Sequence, residues 1–276
     1  MAFGGETAES YYDEGLTASM RGDLNRAVKC FEKSLELDNG FLAAEHQLGR
    51  CFLRMGYKDD ALRILHGVVS KRPAQMAPRL DLGYAFLERE EHAKAEKVFN
   101  DVLNADNANA RAHMGLAHVR FREADWSGAV GHAEEALAHG GSHFAAHFVL
   151  GRAAKLAGSE TISKSSLQKA EELIEKSVEV KPTHPEGYYL RGEVAYVKEE
   201  YRKAIEHYKE AEEHAEPDTY YAAYGEHFTL WDILAKQGLC RHHLGESHEA
   251  KALGERIAQG NPEHKLGQWL SSLEAG

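Results

Sequence analysis

Gln47-Leu48-Gly49-Arg50 returns 34 residues later as Asp81-Leu82-Gly83-Tyr84, and in part again as Leu150-Gly151-Arg152. The step is periodic: Gly15, Gly49 and Gly83 stand 34 apart, and Ala117 continues the series. An alanine follows each of these small residues at a constant offset, at Ala27, Ala61, Ala95 and Ala129; Ala204 follows Gly192, and Ala250 follows Gly238, in the same way. Helix-stopping signals then recur at Asn39, Pro73, Asn107, Gly141, Pro182 and Pro262. Self-similarity at such a period marks a repeat architecture, and a unit of this length holds two helices of about 13 residues with two short turns. The small residues belong where the first helix of a unit meets its second, because bulk there would force the axes apart. Gly22, Gly56, Gly158 and Gly245 fall where the first helix ends and a left-handed cap is needed. Phe31, Leu65, Phe99, Ile174 and Tyr208 are the large residues that fill the second helices.

The chain of 276 residues is 43% hydrophobic, only 9% aromatic and 28% charged, with 6 prolines, which favours helix over sheet. A formal net charge of −11 argues against non-specific nucleic-acid binding and against anionic membrane surfaces. Cys30, Cys51 and Cys240 are too few and too scattered for a disulfide framework or a zinc motif, so a reducing, cytoplasmic setting is expected. The start, Met1 to Glu9, has no basic and apolar leader pattern, and no apolar run is long enough to insert in a membrane.

These small-residue and alanine positions resemble the tetratricopeptide-repeat (TPR) family. The resemblance implies an all-α, right-handed α-solenoid of about seven helix-turn-helix repeats closed by a C-terminal capping helix. Repeats are expected at 8–41, 42–75, 76–109, 110–143, 144–184, 185–218 and 231–264, after a disordered stretch 1–7 and before a cap over 265–276. A cap is needed because the last repeat would otherwise expose its core face. The early aromatic of the family pattern appears only as Tyr11 and Tyr188, and Ala133 and Gly254 stand where repeats four and seven should carry a large residue.

Two insertions break the period. Residues 159–165 are polar and suggest a loop within the fifth repeat. Residues 219–230 suggest an extension of the helix that follows, N-capped by Asp218 or Thr219. This stretch carries Tyr220, Tyr221, Tyr224 and Phe228 and runs into Trp231. Those aromatics either pack back on the first helix of repeat six or form a second interface for a partner or another copy.

The resemblance also implies that one stripe of each first helix faces a concave groove. In this sequence that stripe holds the cations Arg50, Arg54, Arg111, Arg122, Arg152 and Lys155. Between them fall Leu80, Tyr84, Met114, Phe121 and Phe148, with His46 and His118 alongside. Guanidinium forks suit carboxylates, so the expected ligand is an extended, acidic segment of a partner protein. Two internal alternatives stand beside this. Arg54, Glu88 and Arg122 occupy one position in successive repeats and suit an ion-pair ladder, and Asp81 is placed to neutralise Arg111 or Arg50. The clamp by which some family members hold chaperone tails is not matched, since Tyr12, Leu16, His46 and Arg50 stand at its positions.

His139, His143 and His147 have helical metal-ligand spacing, but Gly140-Gly141 interrupts them; adjacent His242 and His243 point apart. No metal or cofactor is assigned. No phosphate-cradling loop or nucleophile elbow is present, so catalysis is not expected. The expected function is a non-catalytic protein-protein interaction scaffold or adaptor; a self-assembling homo-oligomeric scaffold is the alternative, and an enzyme a remote one.

Overall fold

The computed structural model describes residues 7–141, 143–217 and 219–274, with the side chain of His143 outside that description. Residues 1–6 of the expected disordered start, Asp218 as an N-cap, and the last two residues of the expected cap also lie outside it. The described chain is all-α apart from one small hairpin, and forms two compact units, 1–141 and 142–276.

The N-terminal unit is a solenoid of four antiparallel helix pairs: α1 (Ala8–Arg21) with α2 (Leu24–Leu37), α3 (Leu42–Arg54) with α4 (Lys58–Lys71), α5 (Met76–Glu88) with α6 (His92–Ala105), and α7 (Ala110–Arg122) with α8 (Trp126–Ala138). First helices also neighbour one another, α1 beside α3, α3 beside α5 and α5 beside α7, so they build one continuous face. Thr7 opens α1 with a capping box to Ser10, and Asp23, Asn109 and Asp125 cap α2, α7 and α8 through their side chains.

Large-into-small packing holds each pair together. Phe31, Leu65 and Phe99 are wholly buried, each contributing about 1.5–3 kcal/mol. Gly83 shows why the small residue is needed: a Cβ there would lie 2.6 Å from the Phe99 ring, and a Cβ on Gly115 of the next pair would meet the same ring. In the fourth pair Ala133, fully buried, takes the place of the large residue.

The C-terminal unit holds α9 (His143–Leu156) with α10 (Glu160–Val180), α11 (Pro185–Val197) with α12 (Tyr201–His214), α13 (Leu230–His243) with α14 (Ser247–Gly260), and the closing helix α15 (Lys265–Ser271). Ile174 and Tyr208 are buried as large residues of α10 and α12, and Leu270 of α15 seats in a cluster with Leu234, Ala250 and Ile257.

Two expectations are corrected here. Residues 159–165 are not a loop, because α10 begins at Glu160 and gains two turns instead. Ser163 and Ser166 are buried on its inner side, and Ser163 Oγ donates to the carbonyl of Gly151 at 2.9 Å, so a polar sequence keeps helical phase. Residues 219–230 do not extend α13. They form an antiparallel hairpin, β1 (Tyr221–Ala223) with β2 (Glu226–Phe228), in the register Tyr221↔Phe228, Ala222↔His227 and Ala223↔Glu226. Tyr224 and Gly225 supply the turn with φ of 53° and 85°, the paired left-handed conformation of a tight two-residue hairpin loop. Thr229 then caps α13 in a capping box with Asp232, which sets the helix start at Leu230.

Candidate functional site

On the first-helix face of the N-terminal unit Arg50 and Arg111 of the charged stripe, with His46, meet Asp81 of α5, which is 5% exposed. His46 Nε2 donates to its Oδ2 at 2.8 Å, Arg111 Nη2 to its Oδ1 at 2.5 Å, and Arg50 Nε stands 3.5 Å away. Burial alone would raise the Asp81 carboxyl; the His46 bond and the guanidinium groups of Arg111 and Arg50 outweigh it and hold the group below the usual carboxylate range. Arg50 and Arg111 keep 48% and 51% of their side chains exposed. Tyr84 orders this corner: its hydroxyl donates to the Arg111 carbonyl at 3.0 Å, its ring meets Phe99 edge-on, and Arg111 lies over its face.

In the expected ladder of Arg54, Glu88 and Arg122, Arg54 and Glu88 have other partners as well. Arg54 Nη1 reaches back to Ser19 of α1, donating to its carbonyl and hydroxyl at 3.1 Å, while Lys58 of α4 meets Glu88. Arg122 is exposed at the end of α7, His118 is half-buried, and Phe121 packs edge-on against Trp126. Leu80 and Met114 are core rather than groove surface, 3% and 5% exposed, because α5 and α7 close on them.

In the C-terminal unit the corresponding face is covered by the chain itself. The hairpin touches all three first helices there. Glu226 of β2 meets Arg152 of α9 at 2.5 Å, Tyr224 packs on Phe144 of α9, and Phe228 stacks on Tyr189 of α11 at 3.9 Å and lies beside α13. Phe228 is buried, and so is Phe148, which lies under the Arg152 guanidinium. Tyr221 stacks on Phe228 and Tyr220 on His227; Trp231 packs with Leu253 and Leu266, and only Tyr224 remains exposed at the hairpin tip. Behind Arg152 lies Glu193 of α11, 2% exposed, which accepts from Tyr208 Oη at 2.6 Å and from Lys236 Nζ at 2.9 Å. Burial pushes this carboxyl up, and Lys236 and Arg152 pull it further down. Lys155 donates to the Val197 carbonyl at 2.6 Å and pairs with Glu199 at 2.8 Å, on the rim of a cleft of about 590 Å³ between α9, α10 and α11.

Glu226 and Lys236 are the participants that sequence reasoning missed. Gly225 was the available signal, since a lone glycine inside a helical or strand pattern weakens that pattern and marks a place where the chain can turn.

Tetratricopeptide-repeat profiles match residues 8–41, 58–119 and 163–224, together more than half of the chain. Among solved structures, a tetratricopeptide repeat protein from Parabacteroides merdae is similar over 96% of this chain and 98% of its own, with 14% identity and a TM-score of 0.55. A chain of the APC/C hetero-tetramer Cut9-Hcn1 is similar over 87% of this chain and 43% of its own, with 18% identity and a TM-score of 0.61. MamA from Desulfovibrio magneticus, residues 41 to its end, is similar over 63% of this chain and 97% of its own, with 19% identity and a TM-score of 0.51. At these identities the likeness is one of fold. A search of curated proteins finds no match.

Proposed function

Taking as premise that this chain belongs to the tetratricopeptide-repeat family, we propose that it is a protein-interaction scaffold holding an extended, acidic segment of a partner along the first-helix face of its N-terminal unit. Asp81 carries the proposal. One carboxylate stands among two half-exposed guanidinium groups and an imidazole, so the cluster keeps a surplus positive charge whatever the state of His46. In a chain of net charge −11 that surplus is a local exception, and it favours a ligand carboxylate over the many acidic surfaces around it. Arg152 offers an internal parallel, since it takes Glu226 from an extended strand whose Phe228 lies on an aromatic of the next first helix. Charge-assisted contacts contribute about 1.5–3 kcal/mol each, and a few of them, less ordering costs, give affinity near micromolar, about 8 kcal/mol.

The buried free thiols of Cys30, Cys51 and Cys240 fit a reducing compartment such as the cytoplasm, and no described helix is long and apolar enough to cross a membrane.

Binding is measured by fluorescence anisotropy with peptides rich in Asp, Glu and Phe, against counterparts carrying Asn and Gln. Arg50→Gln with Arg122→Gln should weaken capture of the acidic peptides at least tenfold while helicity is retained. Equal affinity of the double variant and the parent would remove Arg50 and Arg122 from the interface. Self-assembly is the second reading, favoured by exposed Tyr224 and Trp269. Light scattering that returns the mass of one chain at every concentration eliminates it.

A further inference from the structure

Three side chains of the N-terminal unit, His113, Glu135 and His139, bring ligand atoms together between α7 and the end of α8, and His132 faces His113 beside them. His113 of α7 is nearly buried, 9% exposed, and its Nε2 lies 3.1 Å from the Asn107 carbonyl. A carbonyl only accepts, so that nitrogen carries the proton, and the Nδ1 of the neutral ring presents a lone pair. The Nδ1 of His132 on α8 faces it at 3.3 Å. That separation is long for an N–H···N hydrogen bond. It matches the edge of a tetrahedron about an ion with bonds of about 2.0–2.1 Å to two imidazoles. The His139 ring stacks on His113 with centroids 5.9 Å apart, and Glu135 Oε2 stands 3.4 Å from His139 Nε2. Ligand atoms of His113, Glu135 and His139 all lie within 4.8 Å of one another.

We propose that His113, His132, Glu135 and His139 bind a divalent transition-metal ion, zinc by ligand type, which ties α8 to α7. Three imidazoles and one carboxylate are a borderline-soft donor set that selects zinc, and cobalt as its spectroscopic substitute, over magnesium or calcium. His113 is already oriented as metal-bound histidines are, its far nitrogen donating to a backbone carbonyl, which fixes ring and tautomer. Glu135 and His139 keep 56% and 34% of their side chains exposed. His139, at the C-cap of α8, thus groups with residues of α8 and α7. The arrangement differs from the sequence spacing of His139, His143 and His147, in which the His143 side chain lies outside the described residues.

Titration of the metal-free full chain with Co²⁺ tests the site. One equivalent should bind and develop the intense visible absorption of four-coordinate cobalt, Zn²⁺ should bleach it, and the melting temperature should rise with metal. His132→Ala within α8 and His139→Ala at its C-cap change partly exposed side chains and should keep the helical circular dichroism while weakening cobalt binding more than tenfold. The chain has 17 histidines, so stoichiometry and these variants together separate the site from surface binding. Absence of a saturable one-equivalent site tighter than about 100 μM, or unchanged binding in both variants, overturns the proposal.

Discussion

Asp81 has three protonatable neighbours and almost no water. Its folded carboxyl titrates below the unfolded value of about 3.9, so its contribution is complete above that value and is lost as pH falls through the lower, folded one. Asp81→Asn should cost about 1–3 kcal/mol at neutral pH, because it removes charge-assisted hydrogen bonds while the arginine partners stay half exposed. The gap to the parent should shrink on acidification below about pH 4, followed by urea unfolding across that range. Parallel pH curves would mean that Asp81 is not held by His46 and Arg111. Gly83 belongs to the same scale. Gly83→Val drives a branched side chain into the Phe99 ring and should destabilise by about 1–3 kcal/mol or more, read from the shift in denaturant midpoint. Left-handed caps give the opposite sign. Gly22, Gly56, Gly158 and Gly245 have φ near +80°, but Glu90, Ala124 and Glu199 occupy the equivalent place in other pairs at φ of 61°, 59° and 64°. Ala124→Gly relieves that strain and should stabilise by up to about 1 kcal/mol, measured in the same way.

Helix pairs were legible because their determinants are local and periodic. The small residue, the alanine and the stop signal fix where α1 to α8 begin, and Phe31, Leu65, Phe99, Ile174 and Tyr208 are buried as their positions require. Both insertions were misread for want of a period. Ser163 and Ser166 look like loop residues until the Gly151 carbonyl is there to receive one of them. The hairpin looks helical until Tyr224 and Gly225 turn left-handed and Phe228 finds Tyr189. The groove cations have partners that no local pattern reveals, for Glu226 and Ser19 are distant in sequence from Arg152 and Arg54. Glu226→Gln leaves Arg152 facing a neutral amide. Chemical denaturation of this variant should show a loss of about 1–3 kcal/mol confined to the C-terminal unit.

The molecule as a whole is built of two compact units, and solenoids are stabilised by near neighbours rather than by one shared core. Trp126 lies in the first unit and Trp231 and Trp269 in the second. Single-region tryptophan variants should therefore report different unfolding midpoints in guanidinium. Coincident curves would show that the two units unfold as one. A last consequence concerns the strand on Arg152. Because peptide bonds tether it at both ends, it rebinds at an effective concentration in the millimolar range. Under the proposed function, an outside peptide of micromolar affinity would have to outcompete that resident strand, and would instead be directed to the half-exposed Arg50 and Arg111 beside Asp81. Excising residues 220–228 in favour of a Gly-Ser linker should raise peptide stoichiometry, followed by calorimetry, because a vacated surface no longer has an occupant that cannot diffuse away.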